Sequence, residues 1–141
     1  EGEPARGLVC KHKIDGLDVW PILSSQRGAK NPHDAYLFYF TQNELQALRS
    51  GKWKLHLPHT ANGMSGRPGG TGGQPAAYDK LKVGLELYDL ENDLGETRDV
   101  AGQHPEVMKR LLALAEKARA DLGDSLIKRE GQGVRSPGKI E

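Results

Sequence analysis

The sequence predicts an α+β domain in which a small antiparallel sheet of about four strands packs on one long C-terminal helix. Short apolar or alternating runs recur between residues 36 and 90, which favours strands. A glycine-containing turn separates two of these runs, which is typical of a β-hairpin. A single long amphipathic stretch follows them, from Pro105 to about Gly123.

The N-terminal part of the chain predicts a connecting segment and one short helix. Residues 1–13 are polar and carry no clear period, so we expect them to connect to something upstream, with the domain proper spanning residues 14–123. Asp15 or Asp18 is placed to cap a short helix ending near residue 23, because Pro21 is tolerated only in a first helical turn. Residues 24–34 are turn formers and predict a surface loop.

Strands are predicted at residues 36–40, 45–49, 53–57 and 85–90. The first run, Tyr-Leu-Phe-Tyr-Phe, is apolar on both faces, which indicates that both faces are covered and that one covering surface lies outside this chain. The second and third runs flank Gly51 and predict the hairpin.

The remaining segments predict a loop, a helix and a tail. Residues 58–77 lose all periodicity and are rich in glycine, which predicts a flexible loop, and residues 124–141 predict a disordered tail. Pro105 suits a helix start and Gly123 a helix stop. The expected apolar stripe of this helix comprises Val107, Leu111, Leu114 or Ala115, Ala118 and Leu122.

Composition excludes several classes of protein. Glycine and proline account for 26 of 141 residues, which is above the average of about 12% and predicts a modest core. The net charge is +1 and neither half of the chain is strongly basic, which gives no case for a nucleic-acid partner. Apolar runs fall short of the roughly 20 residues that a membrane span needs. The single cysteine, Cys10, cannot form an internal disulfide.

Motifs for catalysis and metal binding are incomplete. The glycine run matches neither a phosphate-binding loop nor a dinucleotide fingerprint, and no Gly-x-Ser-x-Gly sequence occurs. Asp89, Glu91, Asp93 and Glu96 are dense enough for a calcium loop, but Leu94 stands where such a loop needs glycine. We therefore predict no catalytic residue and no metal ligand in this chain.

One cluster suggests ligand binding. Lys52, Lys54, His56 and His59 lead into the glycine-rich loop, and Lys54 and His56 project from the same face of their strand. An ammonium group beside an imidazole suits a sulfate, phosphate or carboxylate. The same pattern is also typical of the polar solvent face of a half-buried hairpin.

Three segments, in order, resemble the C-terminal part of sulfatases of the arylsulfatase A and N-acetylgalactosamine-6-sulfatase type. They are Lys13–Leu23, Leu48–His56 and Leu87–Glu96, so the resemblance covers roughly residues 13–123. It implies the smaller, C-terminal subdomain of an alkaline-phosphatase-like fold, packed on a large catalytic domain. The third segment reads Asp93-Leu94-Gly95-Glu96 where the family has Asp-Pro-Gly-Glu.

The resemblance implies hydrolysis of sulfate esters by a formylglycine nucleophile beside a calcium ion, all of it upstream of this region. Cys10 does not open the Cys-x-Pro-x-Arg motif from which formylglycine is made, so no catalytic residue carries over. The loop after the hairpin can face substrate in related sulfatases, which makes His56, His59, Lys54 and Arg67 the substrate-proximal candidates.

We therefore interpret the chain as the C-terminal domain of a sulfatase acting on aryl or sugar sulfates. It would brace the active-site face, shape substrate selection and be inactive alone. Its expected partners are the catalytic domain and a sulfated small molecule or glycan, and the family implies a periplasmic or secreted location. The alternative is a free-standing module that binds anionic glycans through Lys52, Lys54, His56 and His59.

Overall fold

The computed structural model describes residues 16–136 of the 141. Contacts divide the chain into two units, residues 1–34 and residues 35–141. Residues 16–34, expected to belong to the same domain as the sheet, fall in the first unit. Cys10 and the other residues before 16 lie outside the described residues.

The first unit contains one short helix, α1, Trp20–Leu23. Pro21 occupies its first turn, as expected for a residue without a backbone N–H. The Trp20 N–H donates to Asp18 Oδ1 at 2.9 Å, so Asp18 supports the helix start. Asp15, the other candidate cap, lies outside the described residues. Turns follow α1, in agreement with the predicted surface loop.

The second unit is built on a four-stranded antiparallel sheet. Its strands are β1 (Tyr36–Phe40), β2 (Glu44–Ser50), β3 (Trp53–His56) and β6 (Glu86–Asp89), in the order β1-β2-β3-β6. Gly51 turns the chain between β2 and β3 with a φ of +60°, a conformation that glycine adopts without strain. The predicted strands and hairpin are confirmed.

One long helix, α2 (Pro105–Leu122), covers a single face of this sheet. Pro105 begins it, Glu106 lies in its first turn, and Gly123 follows it with a φ of +84°. Leu111, Ala115 and Ala118 of the predicted stripe are buried, whereas Leu122 is partly exposed. The core consists of these three residues and the sheet leucines, namely Leu45, Leu48, Leu55, Leu57 and Leu87.

The first residues of the segment 58–77, predicted to be a flexible loop, form one strand of a β-ribbon. Strands β4 (His59–Gly63) and β5 (Asp79–Val83) pair antiparallel, and only residues 64–78 between them are irregular. Gly63 lies against the Leu81 side chain, which would have to move to admit a Cβ at that position. The strand His59–Gly63 was not predicted because it carries little apolar alternation on its own, whereas residues 64–77 are irregular as expected.

The prediction of a disordered tail from residue 124 is also wrong over the described residues. Strands β7 (Gly123–Asp124) and β8 (Arg129–Glu130) pair around a 3₁₀ turn. Asp124 is fully buried and accepts hydrogen bonds from the Leu45 N–H at 3.2 Å and the Leu126 N–H at 3.0 Å. Arg119 Nε donates to its second oxygen at 2.9 Å. From the sequence alone, Asp124 would be expected to face solvent. In the structure its carboxylate instead anchors residues 123–130 to the core.

Within the described residues, no helix is long and apolar enough to span a membrane.

Replacing Asp124 with alanine is expected to lower the free energy of unfolding by about 3 kcal/mol. The change would leave Arg119 and the two backbone donors without their acceptor in a buried site. Urea denaturation of the chain measures the effect. Glu130→Gln, an exposed carboxylate of the same hairpin, is the control and should change stability by about 0.5 kcal/mol or less. A loss below about 1 kcal/mol for Asp124→Ala would contradict the assignment.

Candidate functional site

The side chains opposite α2 form a second sheet face, over which the turn containing Glu96 folds and on which the aromatic side chains of β1 are exposed. Since side chains alternate along each strand, the register that turns the leucines toward α2 turns their neighbours the other way. Two rows cross this open face of the sheet. One row contains Tyr36, Arg49, Lys54 and Tyr88, and the other contains Phe38, Ala47, His56 and Glu86.

Aromatic side chains make the β1 edge of the open face apolar. Tyr36 is 67% exposed and Phe40 is 58% exposed, while Phe38 lies edge-on to Tyr36 with 4.8 Å between ring centroids. Lys54 Nζ lies 5.2 Å from the Phe38 ring centroid, within cation–π range. If a surface outside this chain covers β1, as the sequence led us to expect, it would contact Tyr36, Phe38 and Phe40.

Glu96 joins Lys54 to His56 at the centre of the open face. Its carboxylate accepts from Lys54 Nζ at 2.6 Å and from His56 Nε2 at 2.7 Å, one oxygen for each partner. Burial opposes ionisation of Glu96, but the hydrogen bonds from Lys54 and His56 outweigh it and hold its pKa below the ordinary 4.5. Glu96 has a φ of +53°, a left-handed conformation that costs a non-glycine residue about 1 kcal/mol.

Two aromatic rings pack around His56. The His59 ring stacks on it at 5.8 Å between centroids, and the Tyr88 ring meets it edge-on at 5.6 Å. Because an ionised carboxylate only accepts hydrogen bonds, His56 Nε2 donates in the bond to Glu96. Within the described residues His56 Nδ1 is buried and has no hydrogen-bond partner.

Hydrogen bonds also fix the orientations of His59 and Tyr88. His59 Nδ1 donates to the Leu57 carbonyl at 2.7 Å. The Tyr88 hydroxyl donates to Glu86 at 2.7 Å, and burial together with this bond raises the pKa of that hydroxyl well above its usual value. We define the group formed by Lys54, His56, His59, Tyr88 and Glu96 as the hairpin cluster.

The structure separates the remaining sequence candidates from the hairpin cluster. Lys52 lies in the turn before β3, where it pairs with Asp89 at 2.7 Å and with Glu91 at 3.4 Å. Arg67 pairs with Asp79 at 3.0 Å and donates to the Ala77 carbonyl, so it is engaged within the 64–78 loop region. The predicted set of cations therefore does not form one anion site.

Sequence reasoning missed Glu96 and Tyr88 as members of the site. Tyr88 could have been found, because alternation on the fourth strand places it beside Lys54 once the strand order is known. Glu96 carried no such signal, since its position depends on how the turn after β6 folds back over the sheet. The effect of that turn is chemical, because a carboxylate neutralises the positive charge that Lys54 brings to the face.

Hydrogen bonds fix the orientation of the side chains in the hairpin cluster, which suits contacts with another surface. No cluster of three or more histidine, cysteine, aspartate or glutamate side chains that could hold a metal ion occurs among residues 16–136. The hairpin cluster instead presents fixed hydrogen-bonding groups beside an exposed aromatic edge.

A family model described as the C-terminal region of aryl-sulfatase matches residues 31–135. The chain belongs to this family. The match contains two of the three resembling segments, Leu48–His56 and Leu87–Glu96, and it extends through the β7–β8 hairpin. The segment Lys13–Leu23 lies before the match. No curated protein matched the chain with significance.

The sulfatase family fold accounts for the four-stranded sheet and single long helix of this domain. The sequence expectation of an α+β sulfatase C-terminal domain is thereby confirmed.

Replacing Glu96 with glutamine should lower the free energy of unfolding of the sulfatase domain at neutral pH, and the loss should shrink in acid. A carboxyl whose pKa is lowered by folding stabilises the native state above its unfolded pKa, and this contribution is lost as pH falls through the lowered pKa. We expect Glu96→Gln to cost about 1 kcal/mol at neutral pH and progressively less below the ordinary value of 4.5.

Urea denaturation of both proteins across this pH range provides the measurement. Glu91→Gln serves as the control, because Glu91 is 69% exposed and makes only the longer contact with Lys52. A stability difference between Glu96→Gln and the original chain that stays constant from neutral to strongly acidic pH would refute the role given to this carboxylate.

Proposed function

We propose that this sulfatase domain braces the catalytic domain of an enzyme that hydrolyses aryl or sugar sulfates, and that His56 and His59 help to select the substrate. The observation that carries the proposal is the match over residues 31–135 on a fold whose sheet exposes the aromatic side chains of β1. The catalytic nucleophile and its calcium site would belong to the upstream domain, so the chain alone would not hydrolyse sulfate esters.

The aromatic edge supports a docking role. Large apolar side chains that are exposed together mark interaction surfaces, and aromatic residues are enriched in interface cores. Tyr36, Phe38 and Phe40 lie along one side of one strand, where a partner surface could cover them together. A catalytic domain is the partner that the family supplies.

Charge compensation in the hairpin cluster supports the same role. A lysine that must lose water on docking is tolerated only if a carboxylate with good geometry pairs with it. Glu96 meets this condition for Lys54 while also bonding His56. The same compensation disfavours the alternative of glycan binding through Lys52, Lys54, His56 and His59, since Asp89 and Glu91 likewise pair with Lys52.

Two of the cluster's groups suit substrate selection. The rings of His56 and His59 are stacked and oriented by hydrogen bonds to Glu96 and to the Leu57 carbonyl. Oriented imidazoles discriminate between ligands because a lost hydrogen bond cannot be replaced by rotation of the ring. His56 ends β3 and His59 begins β4, so both rings lie where the hairpin meets the β4–β5 ribbon.

The double substitution Tyr36→Ser with Phe40→Ser tests the docking role. In the chain alone we expect a stability change below about 1 kcal/mol, since both side chains are already largely exposed. In the enzyme that includes the upstream catalytic domain, the same change should cost about 3 kcal/mol, because two aromatic side chains lose their buried contacts.

Thermal and urea denaturation of both proteins measures that contrast. Ile127→Ser, which changes a side chain that is 50% exposed outside the open face, is the matched control. Equal effects of the double substitution with and without the catalytic domain would rule out docking through this face.

His59→Gln tests the selection role in the enzyme that carries both domains. Loss of one oriented hydrogen-bonding group should raise KM for a chromogenic aryl sulfate or a sugar sulfate by about threefold to tenfold with kcat little changed. His33→Gln, an exposed histidine of the first unit, is the control, and the chain alone provides the zero-turnover reference. An unchanged KM of the His59→Gln enzyme for every sulfate ester tested would show that His59 does not contribute to substrate selection.

A further inference from the structure

The β4–β5 ribbon carries a polar face that the proposed function does not use. Its register places Thr60 opposite Lys82 and Asn62 opposite Lys80. Because residues two apart on a strand share a face, these four side chains project from the same side of the ribbon. All four are exposed. We define them as the ribbon face.

The lysines of the ribbon face contact neutral groups. Lys80 Nζ donates to Asn62 Oδ1 at 2.7 Å, and Lys82 Nζ donates to Thr60 Oγ1 at 3.2 Å. An ammonium group has three donors, so each lysine keeps donors for another acceptor. In contrast, the ammonium groups of Lys52 and Lys54 in the neighbouring hairpin donate to carboxylates.

The nearby acidic groups are engaged elsewhere. Asp79 is the one acidic residue among residues 59–83, and it pairs with Arg67 at 3.0 Å. It alternates with Lys80 along β5 and therefore belongs to the other side of the ribbon. Glu86, just after the ribbon, accepts from the Gly84 N–H and from the Tyr88 hydroxyl. Among residues 16–136, no carboxylate pairs with either lysine of the ribbon face, which thus retains two positive charges.

We propose that the ribbon face binds anionic groups along a sulfated polysaccharide and so makes a polymeric sulfated glycan the substrate class of the enzyme. This proposal rests on the proposed function. Lys80 and Lys82 are spaced about 7 Å apart along the strand, which allows two separate oxyanions to be bound at once. The Asn62 amide and the Thr60 hydroxyl add donors for sulfate or sugar oxygens. The sequence suggested anion binding by Lys52 and Lys54 of the hairpin, and this proposal assigns it to Lys80 and Lys82 of the ribbon instead.

Binding of dextran sulfate oligomers to the chain, followed by calorimetry or fluorescence anisotropy, tests the proposal directly. The double variant Lys80→Gln with Lys82→Gln should bind about tenfold more weakly, since two charge-assisted contacts are removed. Lys109→Gln with Lys117→Gln, which removes the same charge from the exposed face of α2, is the matched control and should bind within about twofold of the original chain.

Further probes distinguish the sources of the anionic groups. Unsulfated dextran should not bind, and a carboxylated polysaccharide should bind more weakly than dextran sulfate. Affinity for dextran sulfate should fall as salt is added, because exposed charges are screened. Equal losses of dextran sulfate affinity in the two double variants would show that only net charge matters and would overturn the site. Equal affinity of the original chain for dextran sulfate and for a DNA oligomer of similar charge would overturn it as well.

The enzyme with its catalytic domain separates this proposal from the proposed function. There, Lys80→Gln with Lys82→Gln should raise KM for a polymeric sulfated glycan several-fold while leaving hydrolysis of a small aryl sulfate unchanged. Turnover of both substrates with no effect of the double variant would overturn the ribbon site alone. A lack of any sulfate ester hydrolysis, with dextran sulfate binding retained, would overturn the proposed function and leave the ribbon site standing.

Discussion

Leu48, Leu55 and Leu87 lie side by side across β2, β3 and β6, and the packing of α2 over them is the contact on which the rest of the domain depends. Each leucine is fully buried and contributes roughly 1.5–3 kcal/mol through burial of its side chain. Because side chains alternate along a strand, the residues next to these leucines must project from the other face of the sheet. Lys54, His56 and Tyr88 must emerge on the opposite face, where no helix of this unit's described residues covers them.

That open face becomes chemically specific through the turn that brings Glu96 over it. The turn holds Glu96 in a left-handed conformation, and two short hydrogen bonds from Lys54 and His56 offset the strain. A lysine and a histidine at adjacent positions of an open face would otherwise form a positive patch. With Glu96 between them, the face is nearly neutral and its groups are fixed in orientation, which suits contact with another protein surface.

The sheet and α2 follow from the sequence because their signals are local and repeat several times. Trp53, Leu55 and Leu57 alternate, Gly51 marks the turn before them, and Pro105 and Gly123 bound the helix. Asp124 and Glu96 could not be placed in this way. Each acts through partners that are distant in sequence, Leu45 for one and Lys54 for the other, so only the folded chain reveals that the first fastens the tail and the second completes the site.

The division of charge between the hairpin cluster and the ribbon face gives these two surfaces different physical tasks. A surface that is dried on docking to a catalytic domain must carry its own counter-charges, because an unpaired buried ammonium costs several kcal/mol. A surface that stays in water and meets sulfated sugars gains from leaving its ammonium groups unpaired, since the ligand supplies the counter-charge. Lys54 satisfies the first condition and Lys80 and Lys82 satisfy the second. The ribbon starts at His59, which stacks on His56, so the ribbon and the hairpin cluster meet at this pair of rings. Because Thr60 alternates with His59, the ribbon face projects from the side of the ribbon away from these rings, and the two surfaces can therefore take up different partners.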